Sequence, residues 1–326
     1  MLKKSFVSMA LVAACLVLSA CARPGAAGFP TKEIRIIVPY KAGGQSDLAA
    51  RKIAEISQKQ GVFLHPILVV NMSGANTLEG LRAVRDAKPD GYTLLLHHTT
   101  MLTMDALGTL NLDWRKAFDM VCQVMEVPYV VSVRSDKPWL SMTEMAEDIK
   151  ANPGKYIMSV QGVGGSAHFA GLQINQALGI TDLVKYMPLT GGNDSAAAMM
   201  AGRVDFRPAP SSDVARFFRG GEERVLLFLS DTPSTVYKDA QLANELGIKN
   251  PIKMRSGLFT THGVPADVIK VLQVGMKKIV NTPEFQEFME AQVVDGVYIS
   301  GDEWLPLFEA DAQNIKGIAK TVNIKQ

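Results

Sequence analysis

Two short glycine-rich stretches hold the residues best suited to chemistry. One is Pro39-Tyr40-Lys41-Ala42-Gly43-Gly44-Gln45-Ser46-Asp47; the other is Gln161-Gly162-Val163-Gly164-Gly165-Ser166-Ala167-His168. Each sets a Gly-Gly pair and a small hydroxyl residue just ahead of a run with helical spacing. Glycine lets the backbone take φ > 0 and come close to a bound group. The first amides of a helix lack intrahelical acceptors and carry partial positive charge, so a turn of this design suits an anion. Ser46 stands where an N-cap would stand. Two such turns aimed at one ligand would grip it from both sides, which is capture rather than catalysis.

Catalytic designs fit these residues poorly. No Gly-x-Ser-x-Gly elbow surrounds Ser166. The 43–47 turn lacks both the Lys-Ser/Thr ending of a phosphate-binding loop and the Gly-x-Gly-x-x-Gly of a dinucleotide fold. His97 and His98 are adjacent at the end of a strand-like run, where alternation would send them to opposite faces. The five histidines and the cysteines show no ligand spacing, so neither a metal nor a cofactor is expected. Trp114, Trp139 and Trp304 read as core, and Cys122 as a buried small hydrophobe. An extracytoplasmic hydrolase would need a catalytic constellation that the sequence does not show.

Alternating strands and helices must position the two turns. Residues 34–38 form a mostly apolar, β-branched run, the pattern of a parallel strand buried on both faces. After the first turn, Leu48, Ala49, Ile53 and Ile56 have helical spacing, with Gly61 as the stop. Strands at 67–70 and 92–96 and a helix at 77–87 complete a β-α-β-α-β unit. Its ligand end lies beyond the strand C-termini, in loops 39–47, 71–76 and 97–103. Thr99 and Thr100, in the last of these, are candidate side-chain donors. The apolar run 127–133 reads as a crossover strand, and Ser141-Met142-Thr143-Glu144 as a capping box. A second unit follows, with strands near 156–160, 184–187, 204–206 and 224–229 and helices near 167–178, 193–201 and 212–219. Gly257-Leu258-Phe259-Thr260 is a second crossover, after which helices at 265–280, 283–291 and 302–319 return the chain to the first unit. The expected class is α/β, with two doubly wound lobes joined by two crossover strands. Lobe one takes 29–126 and 255–326, and lobe two 127–254. Paired crossovers make a hinge.

The 326 residues, 47% of them hydrophobic, suffice for a two-domain globular chain. Lys3-Lys4, the apolar run 6–18 and Leu18-Ser19-Ala20-Cys21 read as a lipoprotein signal peptide over 1–20, with Cys21 as the lipidated residue and 21–28 as a tether. Without 1–20, which removes two lysines, 32 basic residues face 32 acidic ones. That balance argues against nucleic acid or an anionic membrane surface as the main partner. Cys21 taken by lipid leaves Cys122 alone beyond the leader, with no intramolecular disulfide available.

In order and spacing, several motifs together resemble the substrate-binding proteins of tripartite tricarboxylate transporters, the Bug family. They are Ile36-Ile37-Val38-Pro39-Tyr40 with Gly43-Gly44 and Asp47; Pro89-Asp90-Gly91-Tyr92-Thr93-Leu94-Leu95; Gly164-Gly165-Ser166 with His168; Gly202-Arg203-Val204-Asp205; and Gly257-Leu258 before Gly263-Val264-Pro265. The resemblance spans nearly all of the chain beyond the leader. It implies a periplasmic-binding-protein-like Venus flytrap that closes on a small organic carboxylate. In such a trap Tyr40, Gly43, Gly44, Ser46 and Asp47 would contribute from one lobe, and Gly164, Gly165, Ser166 and His168 from the other. Asp47 would orient its loop or cap amides, because a carboxylate beside a carboxylate repels it unless protonated or bridged. It further implies a monomer, anchored outside the cytoplasm, that delivers solute to membrane transporter subunits. A sensor presenting its closed form to a membrane signalling partner would use the same trap. Two departures stand out. The family's further Asp in a Phe-Asp pair is absent from Phe206-Arg207-Pro208-Ala209-Pro210, which weighs against an amino-acid ligand and leaves Arg207 as a candidate clamp for a second carboxylate. Asn71-Met72-Ser73-Gly74-Ala75-Asn76 also differs from the family's Asn-Arg-Pro-Gly-Ala-Gly pattern.

Overall fold

The computed structural model describes residues 28–321; the leader and Cys21 lie outside the described residues. The first half alternates strands and helices. β1 (Ile34–Val38), α1 (Gln45–Gln60), β2 (Ile67–Asn71), α2 (Leu78–Arg85) and β3 (Thr93–His98) follow in turn. β1 lies between β2 and β3, parallel to both, and four of its five residues are buried. That double coverage is why its sequence is nearly all β-branched. α1 turns Ala49, Ala50, Ile53 and Ile56 inward. After β3 come two short helices, α3 (Thr100–Ala106) and α4 (Trp114–Ala117). α3 has no amphipathic period because Met101, Leu102, Thr103 and Met104 are all buried, and the sequence pattern missed it.

β4 (Phe118–Arg134) is a 17-residue strand, far longer than the expected crossover. It carries the chain from one half of the sheet to the other. Beyond it lie α5 (Met142–Ala151), β5 (Ile157–Gln161), α6 (Ser166–Leu178), β6 (Lys185–Leu189) and α7 (Gly192–Met200). β7 (Phe206–Pro210), α8 (Ser211–Arg219), β8 (Glu223–Phe228) and the short β9 (Gln241–Leu242) complete the second half. β10 (Lys253–Thr261) returns to the first half. α9 (Ala266–Val280), α10 (Pro283–Ala291), β11 (Asp295–Ser300) and α11 (Gly301–Thr321) finish the chain. Ser141 caps α5 as expected, with Glu144 N–H donating to Ser141 Oγ at 3.1 Å; the Glu144 carboxylate reaches one residue further back than in a capping box and accepts from Leu140 N–H at 2.7 Å.

One curled mixed sheet runs β2-β1-β3-β10-β4-β7-β5-β6, with β11 and β8 also on β4 and β9 on β8. β4 pairs with β10 through Pro128 and with β7 from Tyr129 onward. The change of neighbours falls at a residue with no N–H to give a ladder, so the proline sits where its missing donor costs least. Within each half the inner strands are parallel, so their C-terminal ends open toward the same side. The three tryptophans are core, at 1%, 3% and 0% exposure for Trp114, Trp139 and Trp304. Cys122 is buried, and burial raises its thiol pKa.

Candidate functional site

The two glycine turns are built alike. α1 has Gly44 as its N-cap, with φ −76° and ψ 165°; α6 has Gly165, with φ −75° and ψ 166°. The preceding glycines, Gly43 and Gly164, are left-handed, at φ +80° and +75°. Gly43 N–H donates to Asp47 Oδ2 at 2.8 Å, and Gly164 N–H donates to His168 Nδ1 at 3.2 Å. In both, a side chain four residues ahead holds the left-handed glycine. The first intrahelical bonds are Leu48 N–H to Gly44 O and Phe169 N–H to Gly165 O. The amides of Gln45, Ser46 and Asp47, and those of Ser166, Ala167 and His168, precede those bonds and lack i−4 acceptors. Each helix end favours an anion by about 0.3–1 kcal/mol, or up to about 2 kcal/mol when partly buried.

Side chains bring the two turns together. Ser166 Oγ lies 3.2 Å from Thr100 Oγ1 at the start of α3, and accepts from Tyr129 OH at 2.6 Å. Tyr129 is the first β4 residue paired with the second half, and its electrostatic field reaches Tyr40 in the first turn. Tyr40 stacks on His98 at 4.8 Å and 9°, and its OH is 3.4 Å from His97 Nε2. Burial raises the Tyr40 phenol well above its usual range, so it stays a neutral donor. Burial also lowers His97 and His168 to about 4 each, and lowers His98 strongly. At neutral pH the cleft has no imidazolium among these three. Anion capture here therefore rests on amides, hydroxyls and helix ends.

This geometry suits a receptor, and comparison with known proteins agrees. The family described as tripartite tricarboxylate transporter family receptor matches residues 49–324. The chain belongs to that family. A UPF0065 protein of Bordetella pertussis is 30% identical over 296 residues, covering 90% of each chain. The structural neighbours are periplasmic solute-binding proteins. MatC from Rhodopseudomonas palustris, determined with bound malate, shares 21% identity with a TM-score of 0.74 over 89% of this chain and 100% of that one. A second R. palustris protein, determined with adipate, shares 19% identity with a TM-score of 0.77 over 90% of this chain and 98% of that one. The expected Venus-flytrap class is thus the fold observed. The chain is a solute-binding receptor rather than an enzyme, and its family places it outside the cytoplasm.

The receptor brings most of the sequence-derived candidates together, with four changes of role. Ser46 is not the N-cap: α1 begins at Gln45, Gly44 takes the cap position, and Ser46 is buried inside the first turn. Thr99 is fully buried; its Oγ1 donates to Lys253 O at 2.8 Å and accepts from Arg255 N–H at 3.0 Å, tying β3 to β10. Its neighbour Thr100 is the one at the cleft. Arg207 is fully buried and its fork is taken by Glu223, with Nη2 to Oε1 at 2.9 Å and Nε to Oε2 at 3.1 Å, so it is not a free clamp. His97 and His98 do not diverge: their rings are 5.4 Å apart and both contact Tyr40. The strand ends there, Thr99 turns helical at φ −45°, and alternation lapses. Asp47, 1% exposed, orients its loop. Burial opposes its charge, but Arg51, the Gly43 amide and Asn71 together hold the carboxyl below its usual range.

Sequence reasoning passed over Tyr129 and the Gly191-Gly192 pair at the head of α7, and took Gln161 only as the start of its turn. That pair follows β6 as the others follow β1 and β5, a third strand, Gly-Gly, helix unit that repeat-counting would have found. A separate cavity of about 410 Å³ lies beside β4 and β10, lined by Glu126, Lys253, Ser230, Thr232 and Asp295 among others. It shares no residue with the two turns. Its Glu126 is already held by Lys253 at 2.6 Å and Arg255 at 3.1 Å.

Proposed function

We propose that this receptor captures a small organic carboxylate between the two glycine turns and delivers it to the membrane subunits of a tripartite tricarboxylate-type transporter. The matched pair of helix N-termini, met across Thr100 and Ser166, carries the reading. The family and the carboxylates held by its structural neighbours support it. The lobes are 29–126 with 255–326, and 127–254, and they close about β4 and β10 as a hinge. One lobe alone offers one helix end; only the closed form gathers both. A ligand shifts that equilibrium by its differential affinity for the closed state.

The test is a thermal-shift series of mono-, di- and tricarboxylates, each beside its amide. A ligand that binds only the native state stabilises it by about 2.7 kcal/mol at a hundred times its Kd. At least one acid should raise Tm while its amide, equal in shape but uncharged, does not. Equal shifts from acid and amide throughout the series would sink the anion as the recognised group.

The anchor belongs to the same proposal. Cys21 follows Leu18-Ser19-Ala20 in a lipobox pattern, and no helix among the described residues is long and apolar enough to cross a membrane. Cys21→Ser should leave ligand binding intact and move the protein from the membrane fraction, or stall its processing. A variant that stays as membrane-bound as the wild type would refute lipidation at Cys21.

A further inference from the structure

The far end of the cleft carries a carboxylate that capture by the two glycine turns leaves unused. Three second-half strand ends meet there. β5 ends at Gln161, β6 leads to Gly191-Gly192, and β7 runs straight into α8, whose first turn is Ser211-Ser212-Asp213. Asp213 Oδ2 accepts from Gln161 Nε2 at 2.9 Å. Gly192 seats the pair: a Cβ there would lie 2.4 Å from Asp213 Oδ2 and 2.7 Å from Gln161 Nε2. Gln161 is also the first residue of the second glycine turn. Tyr129, which donates to Ser166 in that turn, lies within the electrostatic reach of Asp213. Asp213 therefore borders the second glycine turn through Gln161.

The surroundings leave its charge unanswered. The nearby cation is Arg207, whose fork is held by Glu223 and which touches Asp213 only at its main-chain carbonyl, through Nη2 at 3.3 Å. No ion pair to Asp213 occurs among the described residues. The carboxylate is open to solvent by area yet crowded by protein, as at the floor of a cleft. Crowding raises its pKa, against the pull of Gln161 and Arg207. Close by, Gln161 Oε1, Ser212 Oγ and Arg207 Nη1 are buried with no hydrogen-bond partner. With Gln161 Nε2 spent on Asp213, Gln161 Oε1 can only accept. An acid and an amide oxygen side by side call for a donor that carries positive charge.

We propose that the solute is an amino-carboxylate, its carboxylate on the paired helix ends and its ammonium on Asp213 and Gln161 Oε1. The proposal rests on carboxylate capture by those helix ends. It also reverses the expectation drawn from the acid missing after Phe206. The acid comes instead from the first turn of α8, on the next element.

Calorimetry on the wild type and on Asp213→Asn decides it, with three series: L-aspartate, malate and succinate; L-glutamate and glutarate; β-alanine and propionate. Asparagine keeps the shape and the Gln161 contact and removes the charge. In at least one series the amino member should bind wild type at least tenfold more tightly than its amine-free partner. Asp213→Asn should erase that preference while leaving the amine-free partner unchanged or tighter. Three outcomes overturn the proposal alone: amine-free acids binding as well as amino acids, malate matching aspartate where that series is the one bound, or Asp213→Asn weakening both members equally. Failure of every carboxylate to bind the wild type would instead remove carboxylate capture itself, and this proposal with it.

Discussion

Arg207→Met should lower the unfolding free energy by about 3–5 kcal/mol, the usual cost of leaving one member of a buried ion pair uncompensated. Glu223, 2% exposed, accepts from both Arg207 nitrogens and from Ser132 Oγ at 2.6 Å. Loss of the guanidinium leaves that carboxylate buried with one hydroxyl to hold it. The double variant Arg207→Met/Glu223→Met should recover most of the loss, because an apolar pair removes the desolvation cost on both sides. Urea titrations of the three proteins measure this directly. The affinity of the folded single variant for any carboxylate found in the thermal-shift series should change little. If Arg207→Met instead keeps wild-type stability and loses carboxylate affinity, the guanidinium is a ligand clamp after all, and Glu223 is not what it serves.

Arg207 also shows where the sequence stops being readable. An arginine after Val204-Asp205-Phe206 could face ligand or core, and which it does depends on Glu223, sixteen residues on in a strand that pairs with β4. No local pattern encodes that meeting. The strands and helices around it were legible because their apolar spacing is local: β1, β5, α1 and α6 lie within a few residues of their expected positions. The glycine turns were legible for the same reason. What was not legible is whatever tertiary context decided. α3 is buried on every side and so lost its helical period. β11 is half-exposed and pairs with β4 across a long separation. Thr99 and Thr100 are neighbours of one type, yet only the bend at the end of β3 decides that the first braces β10 and the second meets Ser166.

Gly164→Val should weaken carboxylate binding by about 10- to 100-fold, where tenfold is 1.4 kcal/mol. The sequence shows each Gly-Gly pair but does not separate the roles of its two members. The dihedral angles place the strain at the first, because Gly44 and Gly165 have ordinary negative φ while Gly43 and Gly164 are left-handed. An L-residue in that region costs about 1–2 kcal/mol, and β-branching adds crowding. At Gly164 a Cβ would also come within 2.6 Å of Leu107 Cδ1, at the end of α3 in the first half of the chain. Relief of that strain turns the peptide plane and breaks the bond from Gly164 N–H to His168 Nδ1, so the open amides of 166–168 lose their common aim. The stability cost has a matched control in Gly179→Val. Gly179 caps the other end of α6 at φ +66°, with no atom within 4 Å of its Cβ position. It should suffer a similar loss of stability with affinity unchanged. Gly43→Val, left-handed with open space around its Cβ, should reproduce the loss of binding from the first turn. Isothermal titration with the best ligand of the thermal-shift series, run beside denaturant unfolding, separates the two effects. Gly164→Val binding as tightly as Gly179→Val would mean that the second turn does not hold the anion, and the two-sided grip would reduce to one helix end.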